Sequence, residues 1–202
     1  MLENIIPINI YSSNYNTLFD NNDIAKLAIN HKKIQDYNSY YLFSQKDSIF
    51  IDIIYKIKKS GLYSFIPYIY DILYHKLLTK VINNDDNYII VFVPSDPKRF
   101  VERGFGLNEE ILKLASRDGL KTLDCIYKSK HTKNQSLIKI KNKRVINKGI
   151  YNLISKASDN LDRVKKIYIF DDFITTGNTI LSVAELFSPY NVEIEFISLV
   201  GE

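Results

Sequence analysis

The stretch Lys165–Ile180, KKIYIFDDFITTGNTI, decides the fold. Its apolar residues 167–170 have strand length and run straight into two adjacent acids, Asp171 and Asp172. A Thr-Thr-Gly turn (Thr175, Thr176, Gly177) follows. An amphipathic helix comes next, with Ile180, Leu181, Ala184 and Phe187 on one face and a stop at Pro189. Where a strand, a turn and a helix N-terminus meet, the helix dipole and the free first-turn N–H groups face an anion. Two carboxylates beside such a cradle would repel a phosphate, so they call for other partners. Sugar hydroxyls and Mg²⁺ are the natural ones, since Mg²⁺ takes one or two carboxylates together with substrate oxygens. The stretch alone points to a phosphorylated sugar presented with Mg²⁺.

Working outward, residues 88–93 are a continuous apolar run of strand length, as in strands covered on both faces of a parallel sheet. Residues 94–106 read as a polar loop rich in Lys and Arg, and a helix follows to Arg117, with Glu109 and Glu110 early and Lys113 and Arg117 late. Further back, apolar residues at 49, 50, 53, 54 and 57 mark a helical face closed by Lys58, Lys59 and Gly61. A second helix, about 62–82, tolerates Pro67 only in its first turn. Strands are expected over 40–43, 122–127 and 150–154. A final half-exposed strand is expected where Val192, Ile194 and Phe196 alternate with Glu193 and Glu195. A short helix near 23–33 lies within a loosely determined N-terminal extension. The pattern predicts an α/β fold, a doubly wound, mostly parallel sheet, with residues 1–45 as the extension and 46–202 as the main domain. The loops at 94–104 and 171–179 both follow strand carboxyl ends, where open α/β sheets bind ligands, so they can face one ligand.

Composition narrows the class. At 202 residues, 46% of them hydrophobic and 25% charged, the chain can bury one substantial core. A single cysteine, Cys125, excludes an intrachain disulfide and a cysteine-based zinc ribbon. The first 25 residues hold no Lys or Arg, and no apolar run reaches membrane-spanning length, so a cytoplasmic protein without a membrane segment is expected. The net charge of +4 is unevenly spread: residues 128–148 hold eight Lys or Arg and no acid, leaving a balance of −4 elsewhere. Such a segment suits a local polyanionic partner, either as a cover over a ligand or as a nucleic-acid contact. A P-loop nucleotide-binding reading of the acidic strand fails, because none of the seven glycines is followed by Lys. Gly104-Phe105-Gly106 lacks the third glycine of a dinucleotide fingerprint.

IYIFDDFITTGNT resembles the phosphoribosyl pyrophosphate signature of type I phosphoribosyltransferases: apolar strand, acid pair, Thr-Thr-Gly. VPSDPKRFVERGF and KSKHTKNQSLIKIKNKRVINKGIYNL resemble the ComF family of competence-related proteins. They carry its Pro-Lys-Arg and Glu-Arg-Gly-Phe block, its Thr-x-x-Gln element (Thr132, Gln135) and its Arg-x-x-Asn element (Arg144, Asn147). Ile57–Gly61 is similar to that family's Lys-x-x-Gly turn, and in order and spacing the likeness runs from about Ser48 to Val200. The chain departs from the family in lacking the N-terminal four-cysteine ribbon and in reading Gly-Phe-Gly-Leu-Asn where Asn usually follows Gly-Phe directly.

The resemblance implies a type I phosphoribosyltransferase fold. Thr175, Thr176, Gly177, Asn178 and Thr179 would hold the 5′-phosphate. Asp171 and Asp172 would bind the ribose hydroxyls as the catalytic acids, with Mg²⁺ bridging ribose and pyrophosphate, and Lys98, Arg99 and Arg103 would lie near the pyrophosphate. It also implies a tie to DNA uptake in natural competence. Lys139, Lys141, Lys143 and Arg144 would then contact single-stranded DNA, and competence-machinery proteins would be partners. Three functions stand open at this point: phosphoribosyl transfer to an acceptor, a non-catalytic module binding phosphoribosyl pyrophosphate and single-stranded DNA, and a regulatory domain acting through protein partners.

Overall fold

The computed structural model describes residues 24, 26–44, 47–82, 86–129, 149–154 and 161–202. Eight strands are seen among them: β1 (Asn30–Ile34), β2 (Tyr37–Ser44), β3 (Tyr88–Phe92), β4 (Thr122–Leu123), β5 (Ile126–Lys128), β6 (Tyr151–Leu153), β7 (Lys166–Ile174) and β8 (Glu193–Gly201). The main helices are α1 (Ser48–Ser60), α2 (Ile66–Leu73), which runs on through a π-helical turn (Tyr74–Leu78) and a last α-helical turn (Thr79–Val81), α3 (Pro97–Arg103), α4 (Leu107–Arg117) and α5 (Asn178–Ala184). Six strands form one sheet in the order β1-β2-β8-β7-β3-β4, and β5 and β6 form a separate antiparallel pair. Every pairing in the six-stranded sheet is parallel except β1 with β2. The mostly parallel α/β sheet expected from the alternation of elements is therefore present.

The apolar runs explain why the central strands sit inside. Side chains alternate between faces along a strand. In β3 and β7, Ile90, Phe92, Tyr168 and Phe170 enter one core with α1, α2 and α4. Ile89, Val91, Ile167 and Ile169 enter the other, with α5 and the β5–β6 pair. Burial of both faces is what a continuous hydrophobic strand provides for. On the first face, Phe43 of β2 stacks on Phe50 of α1 at 4.3 Å between ring centroids, fixing α1 against the sheet.

Several expected elements change form. The loop at 94–106 contains α3. Its signals are local: Asp96 accepts a hydrogen bond from the Lys98 N–H at 3.2 Å, Pro97 opens the first turn, and Gly104 ends the helix at φ 79°. The strand expected over 122–127 divides. β4 joins the large sheet beside β3, whereas β5 leaves it to pair with β6, with Cys125 buried at the break. The helix expected near 23–33 gives way to β1 from Asn30. A tight turn at Gln35-Asp36, with Gln35 at φ 55°, closes the β1–β2 hairpin. These two strands precede residue 45 and lie in the same sheet as those that follow it. The final strand is not half-exposed: β8 lies between β2 and β7, and even Glu195 is buried, bonded to Asn38 at 3.1 Å and paired with Lys166 at 3.5 Å. Pro67 does fall in the first turn of α2.

Candidate functional site

β7 does not stop before the acids. It continues through Asp171 and Asp172 to Ile174, with Asp171 opposite Ser198 and Phe173 opposite Val200 on β8. Both acids are buried, at 8% and 9% exposure, so each must be satisfied internally. Asp171 Oδ1 accepts hydrogen bonds from Asn108 Nδ2 at 3.1 Å and from the Asp172 N–H at 2.9 Å. The same Asn108 amide donates to the Val93 carbonyl at 2.8 Å, so the start of α4 ties the end of β3 to the end of β7. Asp172 Oδ2 instead meets Lys58 Nζ at 2.6 Å, from the last turn of α1.

The electrostatics follow from one ammonium facing two buried carboxylates. Burial pushes Asp171 well above the usual carboxylate range, the Asp172 charge adds to this, and Lys58, Asn108 and the Asp172 N–H oppose it. Tyr151 of β6 is also raised. Burial is the main cause, and the charges of Asp171, Asp96 and Asp172 add to it, so its phenol shares the neighbourhood of all three acids. Asp96 is held in place by Lys128 at 3.1 Å, a buried ion pair between the N-cap of α3 and the end of β5. The Lys128 ammonium also lies 5.8 Å from the Tyr151 ring centroid.

Beyond the acids comes the Thr-Thr-Gly turn. Thr175 and Thr176 are exposed, and Gly177 adopts φ 77° as it opens α5. A Cβ at Gly177 would stand 2.6 Å from Ile34 Cγ2, so the turn rests directly on β1. Lys32, two residues earlier on β1, donates to the Ile174 and Thr175 carbonyls at 3.4 Å each and to the Glu202 carbonyl. Asn178 and Thr179 are half-buried at the start of α5.

The sequence-derived residues are thus only partly brought together. Asp171, Asp172 and the 175–179 turn are consecutive at one strand end. Lys98, Arg99 and Arg103 lie on α3, after the neighbouring β3. Lys98 pairs with Glu102 at 3.8 Å, and Arg103 Nε donates to the Arg99 carbonyl at 3.1 Å. No hydrogen bond or ion pair joins these three to the acid pair among the described residues. Lys139, Lys141, Lys143 and Arg144 lie outside the described residues, as do Thr132, Gln135 and Asn147. Sequence reading gave no site role to Lys58, Asp96, Asn108, Lys128 or Tyr151. All five lie within stretches quoted for the family comparison, Lys58 in the Lys-x-x-Gly turn among them, but nothing in those stretches singled out these side chains.

No group of three or more His, Cys, Asp or Glu able to hold a metal ion occurs among the described residues. Asp171 and Asp172 nevertheless offer hard oxygen donors, and the buried Asn108 Oδ1 beside them has no hydrogen-bond partner. That set fits an ion completing its shell with a ligand's own oxygens, not one caged by protein alone. No described helix is long and apolar enough to cross a membrane.

No family model matches the chain, and no curated protein matches it. Among solved structures, adenine phosphoribosyltransferase from Leishmania tarentolae is similar at 14% identity and a TM-score of 0.44, over 86% of this chain and 95% of that one. The adenine phosphoribosyltransferase from Thermoanaerobacter pseudethanolicus gives 13% and 0.37, over 90% and 99%. That from Leishmania donovani gives 12% and 0.41, over 85% and 86%. Likeness of this size says nothing of substrate or activity.

Proposed function

We propose that this chain binds phosphoribosyl pyrophosphate at the carboxyl end of β7 and transfers its phosphoribosyl group to an acceptor. The observation that carries the reading is the unbroken run from two buried acids to a glycine-opened turn at one strand end, beside the end of β3. Thr175–Thr179 would receive the 5′-phosphate through their backbone N–H groups and Thr hydroxyls. Asp171 and Asp172 would face the ribose hydroxyls, and loss of pyrophosphate leaves positive charge on the ring that these carboxylates would stabilise. Mg²⁺, when bound, would be held by the same acids and would neutralise charge on the pyrophosphate oxygens. Lys98, Arg99 and Arg103 would approach the pyrophosphate from α3.

The motifs quoted above favour a ComF-like member of this class, linked to DNA uptake and acting in the cytoplasm. The eight basic residues of 128–148 favour an accompanying contact with single-stranded DNA. Calorimetry with phosphoribosyl pyrophosphate and Mg²⁺ tests the site: Asp172→Asn weakens binding, and unchanged affinity would sink the assignment. Pyrophosphate release with a panel of nucleobases then separates transfer from binding alone. If the DNA contact exists, binding to single strands falls with salt and with joint neutralisation of Lys139, Lys141, Lys143 and Arg144.

A further inference from the structure

The acid pair already holds a cation, and it belongs to the protein. Lys58 Nζ lies 2.6 Å from Asp172 Oδ2 and 5.0 Å from the Phe173 ring centroid, and it is the only ammonium paired with either acid among the described residues. It arrives from outside the strand ends, on the last turn of α1, where Gly61 at φ 66° closes the helix. On the other side Asn108 spends its amide hydrogens on Asp171 and Val93, leaving its buried Oδ1 without a partner. The site therefore holds two acids and a single ammonium, with a buried, unengaged amide oxygen on the residue that anchors Asp171. The oxygens are those a hard divalent ion prefers.

We infer that Lys58 is the resident counter-ion of this site, and that its ammonium keeps the acid pair closed to a bare divalent cation until a polyanionic ligand arrives. This rests on the phosphoribosyl pyrophosphate reading above for the identity of that ligand, but the ion competition itself does not. Three features make Lys58 suited to the task. An ammonium is a point charge on a flexible stem, so it can leave Asp172 without breaking a bidentate fork. Its side chain is 23% exposed, so departure needs no rearrangement of the core. The Phe173 ring gives the ammonium a second contact beside Asp172, so the ion pair is not its sole attachment. Lys59, the next residue, is directed elsewhere, 5.9 Å from the Tyr55 ring centroid, and cannot substitute.

The test uses Mn²⁺ alone, titrated by calorimetry and by the loss of its free-ion paramagnetic resonance signal. Removing a unit charge at contact distance from a partly buried carboxylate is expected to tighten Mn²⁺ binding about tenfold or more in Lys58→Met. Lys58→Arg keeps the charge and stays near wild type. Lys58→Met combined with Asp172→Asn loses the gain, and Lys58→Gln repeats the measurement with a polar head in place. Equal Mn²⁺ affinity in wild type, Lys58→Met and Lys58→Gln overturns the inference, as does a gain that persists without Asp172. Phosphoribosyl pyrophosphate is titrated separately into the wild type. Failure there refutes the proposed ligand and leaves the Mn²⁺ result standing.

Discussion

Gly177→Ala tests whether the turn after β7 is built on β1. Gly177 has φ 77°, and an added Cβ would lie 2.6 Å from Ile34 Cγ2. A left-handed backbone costs a non-glycine residue about 1–2 kcal/mol. Forcing a methyl into a packed contact adds roughly 1–3 kcal/mol, because the neighbour must move off its rotamer. The expected loss is therefore about 2–5 kcal/mol, read by urea unfolding with linear extrapolation. Only the second part depends on Ile34. Ile34→Ala alone costs roughly 2–4 kcal/mol as a large-to-small change at a buried position. In the double variant the steric part vanishes, giving a favourable coupling of about 1–3 kcal/mol while the backbone cost stays. Additivity to within about 0.5 kcal/mol would refute the contact and, with it, the claim that β1 shapes the cradle.

Two further outcomes follow from charges near the site. Burial raises Asp171 above the usual carboxylate range in the folded chain, so between its unfolded and folded values there is a pH window in which the native state holds a proton that the unfolded chain has released. Native stability therefore falls as pH rises through that window, by at most about 1.4 kcal/mol per pH unit from this group. Asp171→Asn flattens this slope, and parallel wild-type and variant profiles above the ordinary carboxylate range would contradict the assignment. At the Asp96–Lys128 pair, both side chains are 8% exposed. Lys128→Met should cost roughly 3 kcal/mol by stripping an ammonium from a buried carboxylate, and adding Asp96→Asn should recover part of it. Equal stability of wild type and Lys128→Met would show that the pair contributes nothing.

What was legible in the sequence was whatever depended on local pattern. The runs around Ile90 and Ile169 announced strands buried on both faces. Acids before Thr-Thr-Gly announced a strand end with chemistry, because neighbours in sequence remain neighbours in space at a turn. α3 was equally local and was still missed, since the charge of Lys98, Arg99 and Arg103 masked the cap at Asp96, the Pro97 that follows it and the terminating Gly104. Non-local contacts left no such trace. Lys58 reads as an ordinary basic helix end, and Asn108 as an ordinary first-turn residue. Only the packing of α1 and α4 on the same face of the sheet sends both to the end of β7. The division of 122–127 between two sheets was likewise invisible, because an apolar residue such as Ile126 fits either ladder.

The same non-local contacts make the two acids unequal, although sequence presents them as a doublet. Asp171 Oδ1 is committed to two donors fixed by the fold, the Asn108 amide and the adjacent backbone N–H. Neither can be exchanged without shifting α4 or the strand. Asp172 is held by one flexible lysine from a different helix, which a ligand can displace at the cost of a single ion pair. On the proposed reading Asp172 would be the acid that meets the ligand, and Asp171 the one that positions it, since Asn108 anchors Asp171 to Val93. Isosteric replacement separates the two roles. Asp172→Asn should lower affinity for phosphoribosyl pyrophosphate and, by removing one contribution to the Asp171 shift, only soften the pH dependence of stability that Asp171 contributes, whereas Asp171→Asn should abolish it. Equal effects of both substitutions on both measurements would show that the pair acts as one group, and the partition between Lys58 and Asn108 would then have no functional meaning.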